Sequence, residues 1–188
     1  MAERLFKFLG AGAVGRFSGF SWPPGEWVSA PVEPCVSGLH LCRPDDLPYW
    51  LDEELWEVDV DGAVVEHFEK VVVGRARIVA RIARWPDPLA GELAADCLAE
   101  LERLAARESE ADEDSASAAR LRALLDDARD LLGDPAATPA ARARNVAYVA
   151  AYAADRARPE GRRLPPGVTP FAVERQRQAA LLVRGLDL

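Results

Sequence analysis

The five tryptophans divide this chain into two halves. All of them lie at or before Trp85, and alanine, leucine, arginine and acidic residues dominate after the Trp85-Pro-Asp-Pro88 segment. Two prolines in that segment interrupt any regular element. Strand patterns precede it and helical patterns follow it, an order that favours segregated strands and helices. The sequence predicts an α+β fold, with a small, mainly antiparallel sheet domain over residues 1–86 and about four helices over residues 87–188.

Short alternating segments in the first half predict β-strands. Trp56, Val58 and Val60 alternate with acidic residues, and the Asp-Gly pair that follows supplies the positive φ of a tight turn. This pattern predicts a hairpin over residues 54–67. Residues 71–82 alternate small apolar residues with arginines and predict one long strand, with a helix as the alternative. The other predicted elements are strands over residues 4–9, 16–20, 26–28 and 38–42 and a helical turn over residues 45–53.

Apolar spacing in the second half predicts helices. Leucines and Cys97 recur every three or four residues between Leu89 and Leu104, and a second such stripe ends at Gly133. Thr138-Pro139 and Thr169-Pro170 each resemble an N-cap followed by a first-turn proline. The remaining predictions are helices near residues 139–157 and 170–186 and loops over residues 108–117 and 159–168.

Composition excludes several classes of protein. The net charge is -8, whereas broad binding to nucleic acid needs clustered basic residues. No apolar run reaches the roughly 18 residues that cross a bilayer, and Glu3 and Lys7 interrupt a signal-like N-terminus. The three cysteines are an odd number, which disfavours a secreted disulfide framework. We therefore expect a soluble, cytoplasmic protein with neither nucleic-acid nor membrane partners. The sequence does not fix the oligomeric state.

The segment Cys-Val-Ser-Gly-Leu-His-Leu-Cys, residues 35–42, concentrates side chains capable of ligation and proton transfer. It holds two of the three cysteines and one of the two histidines. In an extended strand, His40 and Cys42 project to one face because side chains alternate. Leu39 and Leu41 then face the core. The segment therefore predicts a polar site on the reverse side of a buried strand.

Several interpretations of this segment stay open. Cys35, His40 and Cys42 are donors that zinc accepts, with His67, Cys97 or a carboxylate as a fourth ligand. Their spacing matches none of the common zinc patterns, so we assign no metal, and a zinc-binding structural domain remains an alternative. Buried cysteines that pack as small hydrophobes are a second alternative.

A metal-free ligand pocket is the site that we predict. In it, His40 serves as a polar handle among aromatic side chains. The predicted binding residues are His40, Cys42, Cys35, Trp22, Tyr49 and Trp50. Tryptophans that form the core of a small sheet domain are the alternative. The pocket predicts a binding module for a small molecule or a protein partner.

The sequence assigns no catalytic residue and no cofactor. Gly-x-Ser-x-Gly, His-Glu-x-x-His and Walker patterns are missing from the chain. A Cys35–His40 or Cys42–His67 nucleophile pair is conceivable from the residue types alone. The segment 10–15 matches G-x-G-x-x-G in letters, but the residues after it do not form a helical pattern, so we do not assign a dinucleotide site.

Charged residues form two further patterns. The run from Asp45 to Asp61 contains eight carboxylates and predicts a solvated face. A cation-binding or docking edge is the functional alternative for this run. Four arginines follow on one face of the predicted strand, and we expect them to pair with acidic residues across the sheet rather than with nucleic acid. The arginines are Arg75, Arg77, Arg81 and Arg84, and the acidic residues are Asp59, Asp61 and Glu66.

Residues 6–82 resemble an uncharacterised family of bacterial and phage proteins. The matching motifs are Lys7-Phe8-Leu9, Phe20-x-Trp22, Cys35-x-x-Gly38-Leu39-His40-x-Cys42, Leu55-Trp56-x-Val58, Gly62-x-Val64-Val65-Glu66 and Lys70-Val71-Val72. The helical half resembles extensions found in proteins of high-GC actinobacteria, on its alanine and arginine content and its ending in Glu174-Arg175-x-Arg177-Gln178.

The order of elements in the first half is also similar to small ADP-ribosyltransferase-like domains. It runs from a strand to the Gly-Leu-His-Leu strand, then to an aromatic helical turn and the Leu-Trp-Glu-Val strand. The resemblance implies a nicotinamide pocket between two central strands, with His40 and Tyr49 as the nearest residues. Lys7 stands where that family has a histidine. An enzyme of this class that uses a nucleotide cofactor is therefore an alternative function.

Overall fold

The computed structural model describes residues 4–32, 37–157 and 164–188. The chain forms two compact units, one made of Met1–Leu89 with Leu182–Leu188 and the other of Ala90–Leu181. The C-terminal residues belong with the first unit because Gly185 lies directly against the Leu89 side chain. A Cβ atom at Gly185 would lie 2.4 Å from Leu89 Cδ1.

Strands precede helices along the described ranges. The strands are β1 (Leu5–Leu9), β2 (Val28–Ser29), β3 (Leu39–Leu41), β4 (Glu54–Val60), β5 (Val64–His67), β6 (Lys70–Val73) and β7 (Arg75–Arg81), with a 3-10 helix at Pro44–Tyr49. The helices are α1 (Leu89–Ala111), α2 (Ala116–Gly133), α3 (Pro139–Arg156) and α4 (Pro170–Leu186). All pairings between these strands are antiparallel. The predicted α+β fold is confirmed.

The strands form two sheets. The first has the order β1-β4-β7-β2, and the second has the order β3-β6-β5. Phe6 of β1 connects the sheets through two backbone hydrogen bonds with Cys42, at 2.8 and 2.9 Å, just after β3 ends. The leucines of β1 and β3 then pack in one apolar cluster with β6 and β7. The segment that carries His40 is therefore fixed beside the first strand.

Two predictions about the strands are wrong, one on their pairing and one on their length. The strands of the predicted hairpin over residues 54–67 exist, but β4 pairs with β1 and β7, whereas β5 pairs with β6. Residues 71–82 form two strands because Gly74 separates β6 from β7, and each strand belongs to a different sheet. A side chain at Gly74 would crowd Val32, since its Cβ would lie 3.2 Å from Val32 Cγ2.

The short elements follow the predictions less closely. Residues 16–20 form a turn rather than the predicted strand, with Gly19 at a φ of 64°. The strand predicted at residues 26–28 is the two-residue β2, and the predicted helical turn is the 3-10 helix. These segments carry few apolar residues in a regular period, so tertiary packing decides their conformation.

The helical unit matches its capping signals. Thr138 accepts a hydrogen bond from Ala141 N at 3.2 Å, and Thr169 accepts one from Ala172 N at 3.1 Å. Both N-cap predictions are confirmed. The loop predicted at residues 108–117 is shorter, because α1 continues to Ala111 and α2 begins at Ala116. The loop predicted at residues 159–168 lies partly outside the described residues.

Candidate functional site

Strand β3 presents His40 on the side opposite two buried leucines. Leu39 is 6% exposed and Leu41 is 1% exposed, and both lie in the apolar cluster. His40 between them is only partly buried, and it pairs with Val72 of β6. The Nε2 atom of His40 is nevertheless buried, and it has no hydrogen-bond partner in the part of the chain that the structure describes.

The register of the second sheet places two more basic side chains beside His40. Lys70 pairs with His67 at the end of the β5–β6 hairpin, two residues before Val72. Because side chains alternate, His40, His67 and Lys70 lie on one face of this sheet. We call these three residues the basic cluster. Burial lowers the pKa of His40, and the positive charges of Lys70, Lys7 and His67 lower it further.

The indole of Trp50 orients Lys70. The Lys70 ammonium lies 5.6 Å from the centroid of the Trp50 ring, a distance typical of a cation–π contact. The Trp50 Nε1–H group donates a hydrogen bond of 2.6 Å to the backbone oxygen of Glu69. This bond fixes the indole against the hairpin turn, so the ammonium is held before any ligand arrives.

Lys7 approaches the same strand from the other side of the sheet. It lies between Leu5 and Leu9, which pack in the apolar cluster, and its Nζ atom donates a 2.7 Å hydrogen bond to the backbone oxygen of His40. The ammonium also lies 5.2 Å from the ring of Trp22. Burial lowers the pKa of Lys7, and the charge of Lys70 adds to this effect. Lys7 therefore joins β1 to β3 and adds positive potential at His40.

The structure separates the predicted site residues. Trp22 is buried and contacts Lys7, whereas Trp50 contacts Lys70. Tyr49 ends the 3-10 helix. Cys42 is buried at 3% exposure, and burial raises the pKa of its thiol to about 12. Cys35 lies outside the described residues.

The sequence contained one signal for the basic cluster that motif analysis missed. The chain has 23 lysines and arginines but only two lysines, Lys7 and Lys70, and its only histidines are His40 and His67. The other three residues all lower the pKa of His40. Lysine and histidine differ from arginine in that burial shifts their pKa readily. All other basic residues of this chain are arginines, whereas its two lysines and two histidines lie around β3.

Counter-ions are missing around the two lysines. Over residues 4–32, 37–157 and 164–188, no carboxylate oxygen lies within 4.0 Å of either lysine Nζ atom. Two arginines of β7 behave differently, since Arg75 pairs with Asp61 and Arg77 pairs with Asp59, both at 2.5 Å. These two cross-strand ion pairs were predicted and are confirmed. Glu66 instead lies 3.5 Å from Arg43. The ammonium groups of Lys7 and Lys70 therefore have no carboxylate partner among the described residues.

No arrangement suited to a metal ion occurs among the described residues. His40, His67 and Cys42 do not form a group of three or more donors that could hold one. Two ammonium groups near His40 also oppose a divalent cation electrostatically. The described geometry therefore lends the zinc-binding alternative no support.

The backbone of the glycine-rich segment 10–15 donates hydrogen bonds to a carboxylate of the same chain, that of Glu54. Gly12 N and Ala13 N donate hydrogen bonds of 3.1 and 3.2 Å to the carboxylate of Glu54. Trp56 Nε1 donates a third at 3.0 Å, and Arg81 lies 3.8 Å away. The Glu54 carboxylate thus joins the segment to β4. It occupies the backbone N–H groups that would otherwise bind a phosphate.

The acidic run from Asp45 to Asp61 was predicted to be a solvated face, and this prediction is wrong for three of its carboxylates. Asp46, Asp52 and Glu54 are 6%, 7% and 8% exposed. Asp46 accepts hydrogen bonds from the backbone and side chain of Arg43, at 3.2 and 2.7 Å. Carboxylates can be buried when such donors compensate them. The sequence pattern alone does not reveal these partners.

A cavity of about 330 Å³ lies elsewhere in the first unit. Its lining residues are Arg81, Ala83, Trp85, Pro86 and Asp87. His40 is not among them. The size suits a small ligand, but the Arg81 side chain at its edge is directed toward Glu54, and the cavity contains none of the titratable basic groups described above.

Comparison with protein-family models, curated proteins and solved structures finds no match to this chain. The resemblances to a bacterial and phage family and to ADP-ribosyltransferase-like domains therefore stay predictions from the sequence. None of the helices in the described ranges combines the length and the apolar character that crossing a membrane requires. The function is accordingly argued from the basic cluster.

The substitution Lys7→Met should raise the pKa of His40. The Lys7 charge lowers this pKa, and methionine removes the charge while keeping most of the apolar stem. NMR titration of the two imidazole signals measures the change. Arg84→Gln removes an equal charge at an exposed ion pair with Asp187 and should leave the His40 pKa unchanged. An unchanged pKa in Lys7→Met would show that Lys7 does not act on His40.

Proposed function

We propose that this chain is a cytoplasmic protein that binds a small molecule at the basic cluster and does not transform it. The observation that carries the proposal is the buried, unpartnered Nε2 atom of His40 beside the oriented ammonium of Lys70. An unsatisfied buried polar atom costs about 1–3 kcal/mol, and a ligand that supplies its partner recovers this free energy. The Trp50 indole adds the apolar surface that ligand sites commonly have.

Binding is better supported than catalysis by the charges around His40. An ADP-ribosyltransferase-like mechanism needs a carboxylate that acts together with the site, whereas the groups that shift the pKa of His40 are all basic. A cysteine nucleophile is also disfavoured, because burial keeps the Cys42 thiol protonated at neutral pH. The enzyme alternative therefore has neither a carboxylate among the described groups that shift the pKa of His40 nor a reactive Cys42 thiolate.

The two histidines make the binding proposal directly testable. A library that includes nucleotides, NAD and divalent metals is screened by thermal shift, and each hit is then checked by NMR of the imidazole signals. A ligand at 100 times its Kd adds about 2.7 kcal/mol of stability. We expect hits to shift both the His40 and His67 signals and to be recovered chemically unchanged.

A matched pair of variants locates the site. His40→Gln removes the imidazole but keeps a polar side chain, so hits should lose affinity. Phe17→Ala changes a side chain that is 88% exposed, and it should bind as the parent protein does. Hits that bind His40→Gln unchanged would contradict the proposed site. Conversion of a hit into a product would contradict the binding-module proposal, and recovery of protein partners alone would favour the protein-binding alternative.

A further inference from the structure

The charge of the basic cluster identifies the class of ligand. We propose that His40, His67 and Lys70 together bind a small oxyanion, a carboxylate or a phosphate group, as the recognised part of the ligand. This inference rests on the proposed function, because it takes the basic cluster as the binding site. It adds that negative charge, rather than shape or apolar area, dominates recognition.

The first argument is the imbalance between positive and negative charge. The chain carries a net charge of -8, and several of its exposed arginines are paired with carboxylates, as Arg4 is with Glu57 and Arg129 with Glu102. Lys70 is partly buried, and the described residues place no carboxylate within 4.0 Å of its Nζ atom. Partly buried cations gain most from a counter-ion because the surroundings screen them poorly. An anion from solution can supply the missing charge.

The second argument is the direction of the donors. His40, His67 and Lys70 lie on one face of the β3-β6-β5 sheet, and the Trp50 indole holds the ammonium in place. An oxyanion offers several lone pairs, so it can accept from the ammonium and from an imidazole N–H group at the same time. The Nε2 atom of His40 has no hydrogen-bond partner among the described residues, so it can pair with such an acceptor. The three side chains therefore lie on the face that a single acceptor would contact.

The third argument excludes ligands of the opposite charge. The groups that lower the pKa of His40 by their charge are Lys7 from β1, His67 from β5 and Lys70 from β6, and all three are basic side chains. A cationic ligand would be repelled by them. A neutral ligand would leave their mutual repulsion unrelieved. Only an anion lowers the electrostatic free energy of the whole arrangement.

Binding of an oxyanion should be coupled to protonation of His40. The pKa of His40 is lowered in the free protein, so its imidazole is neutral near pH 7. A bound anion favours the imidazolium and raises this pKa. Affinity should therefore increase as the pH falls from 8 to 6, and binding should take up protons. Lys7, His67 and Lys70 are the charged groups that set the size of this effect.

The experiment is a titration of the full chain with sodium phosphate and, separately, with sodium acetate, at ionic strength held constant with sodium chloride. NMR of the two imidazoles and calorimetry in buffers of different ionisation enthalpy are the readouts. Acetate is the carboxylate probe, and its charge is constant between pH 6 and pH 8. Lys70→Gln should weaken binding of either anion by about ten-fold or more, since a charged hydrogen bond is lost. Arg84→Gln, with the same change in net charge, should bind as the parent does.

Each outcome bears on the proposal. Saturable shifts of both imidazoles with proton uptake support it, and stronger binding of phosphate or of acetate identifies which oxyanion fits. Lys70→Arg keeps the charge and should stay within about three-fold of the parent, which separates loss of charge from loss of folding. Equal affinity in Lys70→Gln and Arg84→Gln would overturn the proposal. If neutral ligands shift the imidazole signals while both anions fail to bind, the oxyanion proposal is overturned and the binding-module proposal stands. If no ligand of any class binds, both proposals are overturned.

Discussion

Iodoacetamide should alkylate Cys42 and Cys97 about a thousand-fold more slowly in the folded protein than after unfolding, near neutral pH. The thiolate is the reactive form, and burial raises the pKa of both thiols to about 12 from an ordinary value of 9.0. At Cys42 the nearby Lys7 charge and a backbone hydrogen bond with Phe8 act in the opposite direction, but burial dominates. Exposure is 3% for Cys42 and 0% for Cys97, so access to the reagent is also restricted.

The measurement uses a Cys35→Ser background, so that the two buried thiols are read separately by mass spectrometry of peptides. The same reaction in concentrated urea supplies the unfolded reference rate. Slow alkylation of both thiols would remove Cys42 as a nucleophile and leave the binding proposal intact. Alkylation of native Cys42 near the unfolded rate would show a reactive thiolate beside Lys7, and the enzyme alternative would regain its nucleophile.

The sequence predicted the fold where local signals and tertiary packing agree. The two threonine-proline pairs begin helices because side-chain caps and proline geometry act within one turn. The pairing of β4 was not predictable in this way. Asp61-Gly62 turns the chain, with Gly62 at a φ of 99°, but β4 continues into one sheet and β5 into another. A local turn signal does not specify which strands become neighbours, since that depends on contacts distant in sequence.

The candidate site was predictable to the level of one strand. Alternation alone places Leu39 and Leu41 in the core and His40 on the other side, and the structure agrees. Lys7 and Lys70 lie 33 and 30 residues from His40 in the sequence, so only the pairings of β1, β3 and β6 bring them close. Cys42 was predicted to emerge beside His40, but it is buried against Phe6 and Phe8.

The acidic run illustrates why charge patterns are ambiguous without coordinates. Glu54 and Glu57 lie on one strand only three residues apart, and both are charged in the sequence. Glu57 is partly exposed and pairs with Arg4 at 2.9 Å, whereas Glu54 is 8% exposed and accepts two backbone hydrogen bonds. The difference arises because the 10–15 segment covers only one of them. The same segment looked like a phosphate loop by its letters, and its partner turned out to be this carboxylate.

Glu54→Ala should lower the free energy of unfolding by about 1–3 kcal/mol, because it removes the acceptor of three hydrogen bonds and leaves the buried Ala13 N–H group unsatisfied. The orphaned donors are the N–H groups of Gly12 and Ala13 and the Nε1–H group of Trp56. Ala13 adopts a φ of 57°, a conformation that non-glycine residues rarely hold without such support. Loss of the carboxylate should therefore release the whole segment from β4.

Chemical denaturation monitored by tryptophan fluorescence measures this effect. Glu57→Ala is the matched control on the same strand, and it should cost less than about 1 kcal/mol because its ion pair with Arg4 is exposed. Glu54→Gln should fall between the two, since the amide oxygen still accepts hydrogen bonds but the charge is lost. Equal, small losses in Glu54→Ala and Glu57→Ala would show that the carboxylate does not fasten the segment. A large loss confined to Glu54→Ala would assign the glycine-rich segment a structural role and leave the basic cluster as the anion site of this unit.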